Sequence, residues 1–289
     1  MTTKAPIRIA IALPTDSAAR AELADHFGDR ARLLEAAKLS AKSIEQLDLV
    51  VADKRHPDAA ELVRTVKLKR STSRTPVVTI YPEAVSPNRD PELTIVADRE
   101  LTEPLTPGSL GPYAEQLLTL TSARPRHFAL DFLVRLGTEE EQIEAAHGLF
   151  DELLAELGYN EYDQVTLGHS FREALGNAAE HGNDKDPERM LLISYMVDRE
   201  KLLLIVTDEG PGFDHHDYMS KANKESAYTT TTGRSDEVRP GGLGVHIMKT
   251  ACDSIEFNKS GNSIFLMKYL PGADTDSDNN VNGGSSAEV

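Results

Sequence analysis

The stretch Glu173-Ala-Leu-Gly-Asn-Ala-Ala-Glu-His-Gly182 decides how the second half of this 289-residue chain is interpreted. Its polar residues Glu173, Asn177 and His181 are four positions apart, which places them in one row on a helix. The alanines and the leucine between them can pack the same helix into a core. Asn177 offers a neutral oxygen of the kind that Mg²⁺ accepts, and Glu173 can take a proton from an attacking hydroxyl. Taken alone, the segment is better explained as a solvated helix face.

A second segment, Asp208-Glu-Gly-Pro-Gly-Phe-Asp214, directly follows an apolar run that predicts a strand. A carboxylate at such a strand end can accept a hydrogen bond from the exocyclic amine of adenine. Gly210 and Gly212 allow the backbone to approach a flat base closely. Without the other segments, an ordinary turn explains this sequence better.

The third segment, Gly241-Gly-Leu-Gly244, precedes a predicted helix, and glycine-rich backbone at a helix N-terminus can cradle phosphate groups. It is not a P-loop, because Met248 stands before Lys249 where that motif needs glycine. It is not a dinucleotide fingerprint either, because Ile247 occupies the place of the third glycine.

The order and spacing of the three segments together indicate a nucleotide site of another kind. The polar stretch from Asp214 to Pro240 contains lysines, a run of four threonines, Arg234 and Arg239. We interpret it as a lid that would supply hydroxyl groups and cations to a triphosphate, with a simple mobile loop as the alternative.

Composition narrows the class of protein. The net charge of −16 argues against a nucleic-acid surface, which needs a basic face. No apolar run approaches the ~20 residues of a membrane span, and the N-terminus lacks the pattern of a secretion signal. The single cysteine, Cys252, fits a reducing compartment. We therefore expect a cytoplasmic protein without nucleic-acid or membrane partners.

The fold class that we predict is α/β, with two domains and a disordered acidic tail over residues 271–289. Over residues 1–122, buried runs alternate with helical segments, which indicates a parallel sheet covered by helices. The predicted strands there are 7–13, 47–53, 76–81 and 93–96. Residues 126–270 combine long amphipathic helices with hairpin patterns, and the sequence around residues 121–127 is the predicted boundary.

The three segments resemble the N, G1 and G2 boxes of the GHKL, or Bergerat-fold, ATPases, in the form found in bacterial anti-sigma-factor serine kinases. The resemblance covers residues 126–270 and implies a two-layer α/β fold that binds ATP and Mg²⁺. It also implies phosphorylation of a serine on an anti-sigma-factor antagonist, with a sigma factor and a second copy of the chain as further partners.

Residue roles follow from the resemblance, position by position. Glu173 would be the general base, Asn177 the Mg²⁺ ligand and Asp208 the adenine ligand. The remaining nucleotide-binding positions would be Gly210, Gly212, Arg234, Gly242, Leu243 and Gly244. Sensor histidine kinases share these boxes, but His169 lies on the ATP-site helix itself, not on the separate upstream helix that they need.

Residues 1–122 resemble a response-regulator receiver domain in which Asp53 follows a buried strand. The usual pair of acids after the first strand is absent from the sequence, and Glu103 stands where the signature lysine is expected. A phosphoaspartate without these groups is poorly supported electrostatically. We therefore expect a degenerate receiver used for dimerisation or partner binding, with Asp53 as a strand-end acid.

Two functions remain open from the sequence: an ATP-dependent protein serine kinase, and a nucleotide-gated binding module without kinase activity. A vestigial site that binds nothing is the third possibility.

Overall fold

The computed structural model describes residues 5–90, 92–123, 127–212 and 242–273. Its strands are β1 Ile7–Ala12, β2 Ala31–Glu35, β3 Leu49–Asp53, β4 Val77–Tyr81, β5 Thr94–Ile95, β6 Arg99–Thr102, β7 Leu130–Leu136, β8 Leu191–Val197, β9 Lys201–Thr207, β10 Ser254–Phe257 and β11 Ser263–Tyr269. The α-helices are α1 Ala18–Phe27, α2 Ala41–Ile44, α3 Ala59–Lys67, α4 Leu110–Ala123, α5 Glu140–Glu156, α6 Glu161–Asn177 and α7 Gly242–Ala251. In these ranges no helix has both the length and the apolar character needed to cross a membrane.

The first sheet has the strand order β2-β1-β3-β4-β6, and all of its pairs are parallel. Its central strands β3 and β4 are buried at every residue, which explains their continuous apolar sequences. The order is that of a doubly wound α/β sheet of the 2-1-3-4-5 type. Strands β2 and β6 lie at the two edges and are partly exposed.

The second sheet has the order β10-β11-β9-β8-β7-β5, and its pairs are antiparallel. Strand β8 alternates strictly between buried and partly exposed residues, as expected for a sheet with one face on a core. Helices α5 and α6 cover that face, where Phe150 and Phe171 pack beside Tyr195. The predicted α/β class, with one parallel and one antiparallel sheet, is confirmed.

One predicted strand lies in the other sheet. The segment 93–96 was expected in the parallel sheet, but Thr94 and Ile95 pair antiparallel with Arg135 and Val134 of β7. That placement in the first sheet is wrong, because the neighbour of a two-residue strand is decided by tertiary contacts that its sequence does not encode.

The two sheets share one continuous apolar cluster. It includes Val50 and Val66 from the first sheet and its helix, and Phe132, Val134 and Leu149 from the second sheet and α5. The amino-terminal sheet is therefore packed against the part of the chain that carries the three motif segments.

Candidate functional site

Helix α6 carries the first motif. It begins after Asn160, whose Oδ1 accepts a hydrogen bond from the backbone N–H of Asp163 at 2.9 Å. It ends at Asn177 and continues as a π-helical turn over Ala178–Gly182. Asn177 Nδ2 donates to Glu173 Oε1 at 3.1 Å, so these two residues of the predicted row are adjacent on α6, whereas His181 lies in the π-helical turn.

Asp208 is placed by the end of β9 and by the β10–β11 hairpin. Its backbone N–H donates to the Asn262 carbonyl at 3.0 Å, and Asn262 Nδ2 donates to the Asp208 carbonyl at 3.2 Å. Its own Oδ1 accepts from the Gly210 N–H at 2.8 Å. The side chain is buried, and this burial raises the pKa of the Asp208 carboxyl above its ordinary value.

The glycines of the turn are required by close packing. A Cβ atom on Gly210 would lie 1.9 Å from the carbonyl oxygen of Gly182, which ends the first motif. A Cβ on Gly212 would lie 1.9 Å from the Ser260 carbonyl oxygen, and Gly212 also has a φ of +74°. The Asp208 turn is therefore pressed between the end of the π-helical turn and the tip of the hairpin.

These elements enclose a cavity of about 230 Å³. Its walls are largely apolar, with Ala174, Ala178, Val206, Met248, Phe257 and Ile264 among the lining residues. Asn177, His181, Asp208, Asn262 and Ser263 supply its polar groups. An apolar slot with a few fixed polar groups is the usual form of a small-molecule site.

The structure brings three of the nine predicted site residues to the wall of this cavity. Asn177, Asp208 and Gly212 line it. Glu173 and Gly210 each form a hydrogen bond with a lining residue.

Gly242, Leu243 and Gly244 form the first turn of α7, the helix that contributes Met248 to the wall. Arg234 and the rest of the predicted lid lie outside the described residues.

The sequence reasoning missed two groups of site residues. Met248 and Phe257 form part of the apolar wall, but each belongs to an ordinary apolar pattern without a motif. Asn262 ties the Asp208 backbone in place, although its sequence context predicts only a hairpin turn. Only the spatial proximity of the hairpin to β9 reveals this role.

Comparison with known proteins agrees with this geometry. Residues 126–268 match the family described as the histidine kinase-like ATPase domain. Over 127 residues the chain is 31% identical to the serine-protein kinase RsbW of Bacillus subtilis (strain 168), covering 43% of this chain and 76% of that protein. The chain belongs to the histidine kinase-like ATPase family.

Two further relatives show the same likeness. Serine-protein kinase RsbW of Bacillus velezensis is 24% identical over 150 residues, covering 51% of this chain and 91% of that protein. The anti-sigma F factor of Bacillus cytotoxicus is 33% identical over 101 residues, covering 34% of this chain and 64% of that protein. The predicted resemblance of the second half to these ATPases is thereby confirmed.

Proposed function

We propose that this chain is a Mg-ATP-dependent protein serine kinase of the anti-sigma-factor type. The observation that carries the proposal is that Asn177 and Asp208, from two separate motifs, line one apolar cavity. The names of the relatives, serine-protein kinase and anti-sigma factor, support the same function. Its partner would be an anti-sigma-factor antagonist that carries the target serine, and a sigma factor is the second expected partner.

The residues present fit an adenine nucleotide. The apolar walls suit a flat base, and the buried Asp208 would accept a hydrogen bond from its exocyclic amine. Gly210 and Gly212 would allow the backbone to approach the base. The first turn of α7, with Gly242, Leu243 and Gly244, would face the phosphate groups with its N–H groups. Bound Mg-ATP would supply the transferable phosphoryl group.

Asn177 and Glu173 would have separate roles in phosphoryl transfer, one in binding Mg²⁺ and the other in accepting a proton. The hydrogen bond to Glu173 uses the amide nitrogen of Asn177, so the Asn177 carbonyl oxygen is the atom suited to a Mg²⁺ ion. The same bond orients the Glu173 carboxylate, which would accept the proton of the attacking serine hydroxyl. Arg234 would belong to the lid over the phosphates.

The substitution Glu173→Gln tests this role. Glutamine can still accept the hydrogen bond from Asn177, but it cannot take a proton, so we expect phosphoryl transfer to fall by a factor of about 10² to 10⁴. Nucleotide affinity should stay within a factor of about two, because the change leaves the cavity lining intact. Calorimetry with Mg-ATP and transfer of labelled phosphate to a candidate antagonist protein would measure the two quantities.

The matched control is Glu180→Gln, a neighbouring exposed glutamate whose carboxylate pairs with Lys185 at 2.8 Å. It should leave both affinity and transfer unchanged. Transfer by Glu173→Gln at the wild-type rate would show that Glu173 is not the base.

We also propose that residues 1–122 form a receiver-like domain that is not phosphorylated, followed by the ATPase domain over 126–270 and a tail over 271–289. The strand order of the first sheet supports this. Asp53 is held by Arg55, which donates to both of its carboxylate oxygens and also pairs with Glu103 at 2.7 Å. Burial acts to raise the pKa of Asp53, but the bonds from Arg55 outweigh it and lower the pKa.

The second candidate function is a nucleotide-gated binding module without kinase activity. The ion pairs around Asp53 favour it, since a carboxylate already bonded to Arg55 is poorly suited to phosphorylation, and the first sheet would then serve to bind a partner or a second copy of the chain. Nucleotide binding would then change the surface offered to that partner. Normal Mg-ATP affinity without transfer to any antagonist would favour this function over the kinase.

A further inference from the structure

The turn that carries Asp208 is held by a group that no motif identifies. Asn183 is fully buried; its Oδ1 accepts from the Glu209 N–H at 2.8 Å, and its Nδ2 donates to the Met190 carbonyl at 3.0 Å. The Glu209 carboxylate in turn accepts from the Met190 N–H at 3.1 Å. We call Asn183, Met190 and Glu209 the turn clip. It fixes the residue next to Asp208 through both its backbone and its side chain.

The amino-terminal part of the chain reaches the turn clip through Arg89. This residue ends a short 3₁₀ turn over Pro87–Arg89, between β4 and β5. Its guanidinium lies 3.5 Å from Glu209 Oε2, the same oxygen that accepts the Met190 N–H. Glu209 is therefore bonded to its own half of the chain and to the half that carries the first sheet.

The position of Arg89 is set by a buried charge. Arg135 on β7 donates to the Pro87 carbonyl at 2.5 Å and pairs with the Glu100 carboxylate of β6 at 3.2 Å. Both side chains of this pair are largely buried, so separating them would leave an unpaired charge in the interior. The hydrogen bond from Arg135 thus fixes the 3₁₀ turn to β7 and places Arg89 beside Glu209.

We propose that Glu209 is a positioning residue for Asp208, and that Arg89 holds Glu209 in place so that docking of the first sheet tunes nucleotide affinity. This inference rests on the proposed role of Asp208 in nucleotide binding. Glu209 acts through the turn that it holds. Arg89 compensates the negative charge of Glu209 and restricts the rotamer of the Glu209 side chain.

The coupling works in both directions. If docking of the first sheet strengthens nucleotide binding, then nucleotide binding must strengthen that docking by the same factor. A partner that binds the first sheet and shifts the Pro87–Arg89 turn would change nucleotide affinity without touching the cavity. The amino-terminal sheet is thereby assigned a part in controlling the nucleotide site.

The test compares two arginines that both pair with a glutamate across the packed halves. Arg89 pairs with Glu209 of the turn clip, whereas Arg64 on α3 pairs with Glu152 on α5 at 2.5 Å. We expect Arg89→Gln to raise the Kd for Mg-ATP by a factor of about two to five. The effect is small because a half-exposed ion pair contributes little free energy. Arg64→Gln should leave Kd unchanged.

A second variant separates charge from hydrogen bonding. Glu209→Gln keeps an acceptor for the Met190 N–H but loses the pairing with Arg89. It should raise Kd as Arg89→Gln does, and the double variant should add nothing further. Equal effects of Arg89→Gln and Arg64→Gln, or additive effects of Arg89→Gln and Glu209→Gln, would overturn the proposal.

Hydrogen exchange tests the inference even without nucleotide. The Glu209 N–H donates to Asn183 Oδ1 and the Gly210 N–H donates to Asp208 Oδ1, so Arg89→Gln should speed their exchange, whereas Arg64→Gln should not. If the wild-type chain binds no Mg-ATP, the proposed function fails while this measurement still decides the positioning role. Equal exchange in the two variants would overturn that role.

Discussion

At the scale of single residues, Gly210 is a position where the site tolerates little change. A Cβ atom at this position would meet backbone, the Gly182 carbonyl oxygen, which cannot rotate away as a side chain would. We expect Gly210→Ala to lower the free energy of unfolding by about 1–3 kcal/mol and to weaken Mg-ATP binding. Urea unfolding and calorimetry would measure the two effects.

The control for this prediction is Gly148→Ala. Gly148 is an exposed glycine inside α5, and a Cβ there meets no atom within 4 Å. Alanine at this position should raise the free energy of unfolding by about 0.5–1 kcal/mol, because it restricts the unfolded chain and favours the helix. If Gly210→Ala behaved like Gly148→Ala, the close packing of the Asp208 turn would not matter for stability.

Single residues also show where sequence reasoning stops. Asp208, Gly210 and Gly212 were predicted because one short pattern contains them all. Asn183 and Asn262 hold that pattern in place, but each acts across a tertiary contact, and an isolated asparagine carries no signal of such a role. The residues that line the cavity were therefore easier to predict than the residues that hold them in place.

At the scale of elements, α6 carries a stabilising cap at one end and a residue of the site at the other. Asn160 caps its N-terminus, and Asn177 stands at its other end. Asn160→Ala should cost about 1 kcal/mol and lower Tm by a few degrees, since the Asp163 N–H loses its acceptor. Mg-ATP affinity should stay unchanged, because the cap is more than four turns from Asn177 (the helix rises about 1.5 Å per residue).

The control variant for the cap is Asn160→Ser, whose hydroxyl can accept from the Asp163 N–H and donate to the Asp163 carboxylate that Asn160 Nδ2 bonds, so it should largely retain Tm in a thermal melt. A large change in nucleotide affinity in Asn160→Ala would contradict the view that the two ends of α6 act independently.

Elements with continuous apolar sequences were predicted correctly, and the two edge strands of the first sheet were not. Strands β3 and β4 are fully buried, and their largely apolar sequences predict this burial. Strand β2 was missed, because Ala-Arg-Leu-Leu-Glu is also a good helical sequence and its residues are only partly buried. Strand β6 was missed for the same reason of partial exposure. An edge strand is defined by its neighbour as much as by its own residues.

At the scale of the whole molecule, the pair Arg135–Glu100 should make the chain unfold as one unit. The apolar cluster is continuous between the sheets, and this buried pair crosses them. Arg135→Met would leave the Glu100 carboxylate buried without its cation, which should cost about 3–5 kcal/mol. Calorimetry should then show a lower Tm or two separate transitions instead of one.

An ion pair on the surface provides the control for Arg135→Met. Arg172 pairs with Glu144 between two exposed helix positions, so Arg172→Met should change stability by less than about 1 kcal/mol. Replacing Glu100 by Leu in the Arg135→Met background should recover part of the loss, because the unpaired charge is removed. Equal losses from Arg135→Met and Arg172→Met would contradict a stabilising role for the buried pair.

The antiparallel pairing of β5 with β7 has a consequence for solubility. Thr94 and Ile95 occupy hydrogen-bonding positions along β7 beside Arg135 and Val134. A chain shortened to begin after residue 126 would lose this short strand and expose backbone N–H and C=O groups to other molecules. Such an open edge is a template for intermolecular pairing and aggregation. The amino-terminal half thus covers the β7 edge at Val134 and Arg135 and should lower the tendency of the ATPase half to associate with itself.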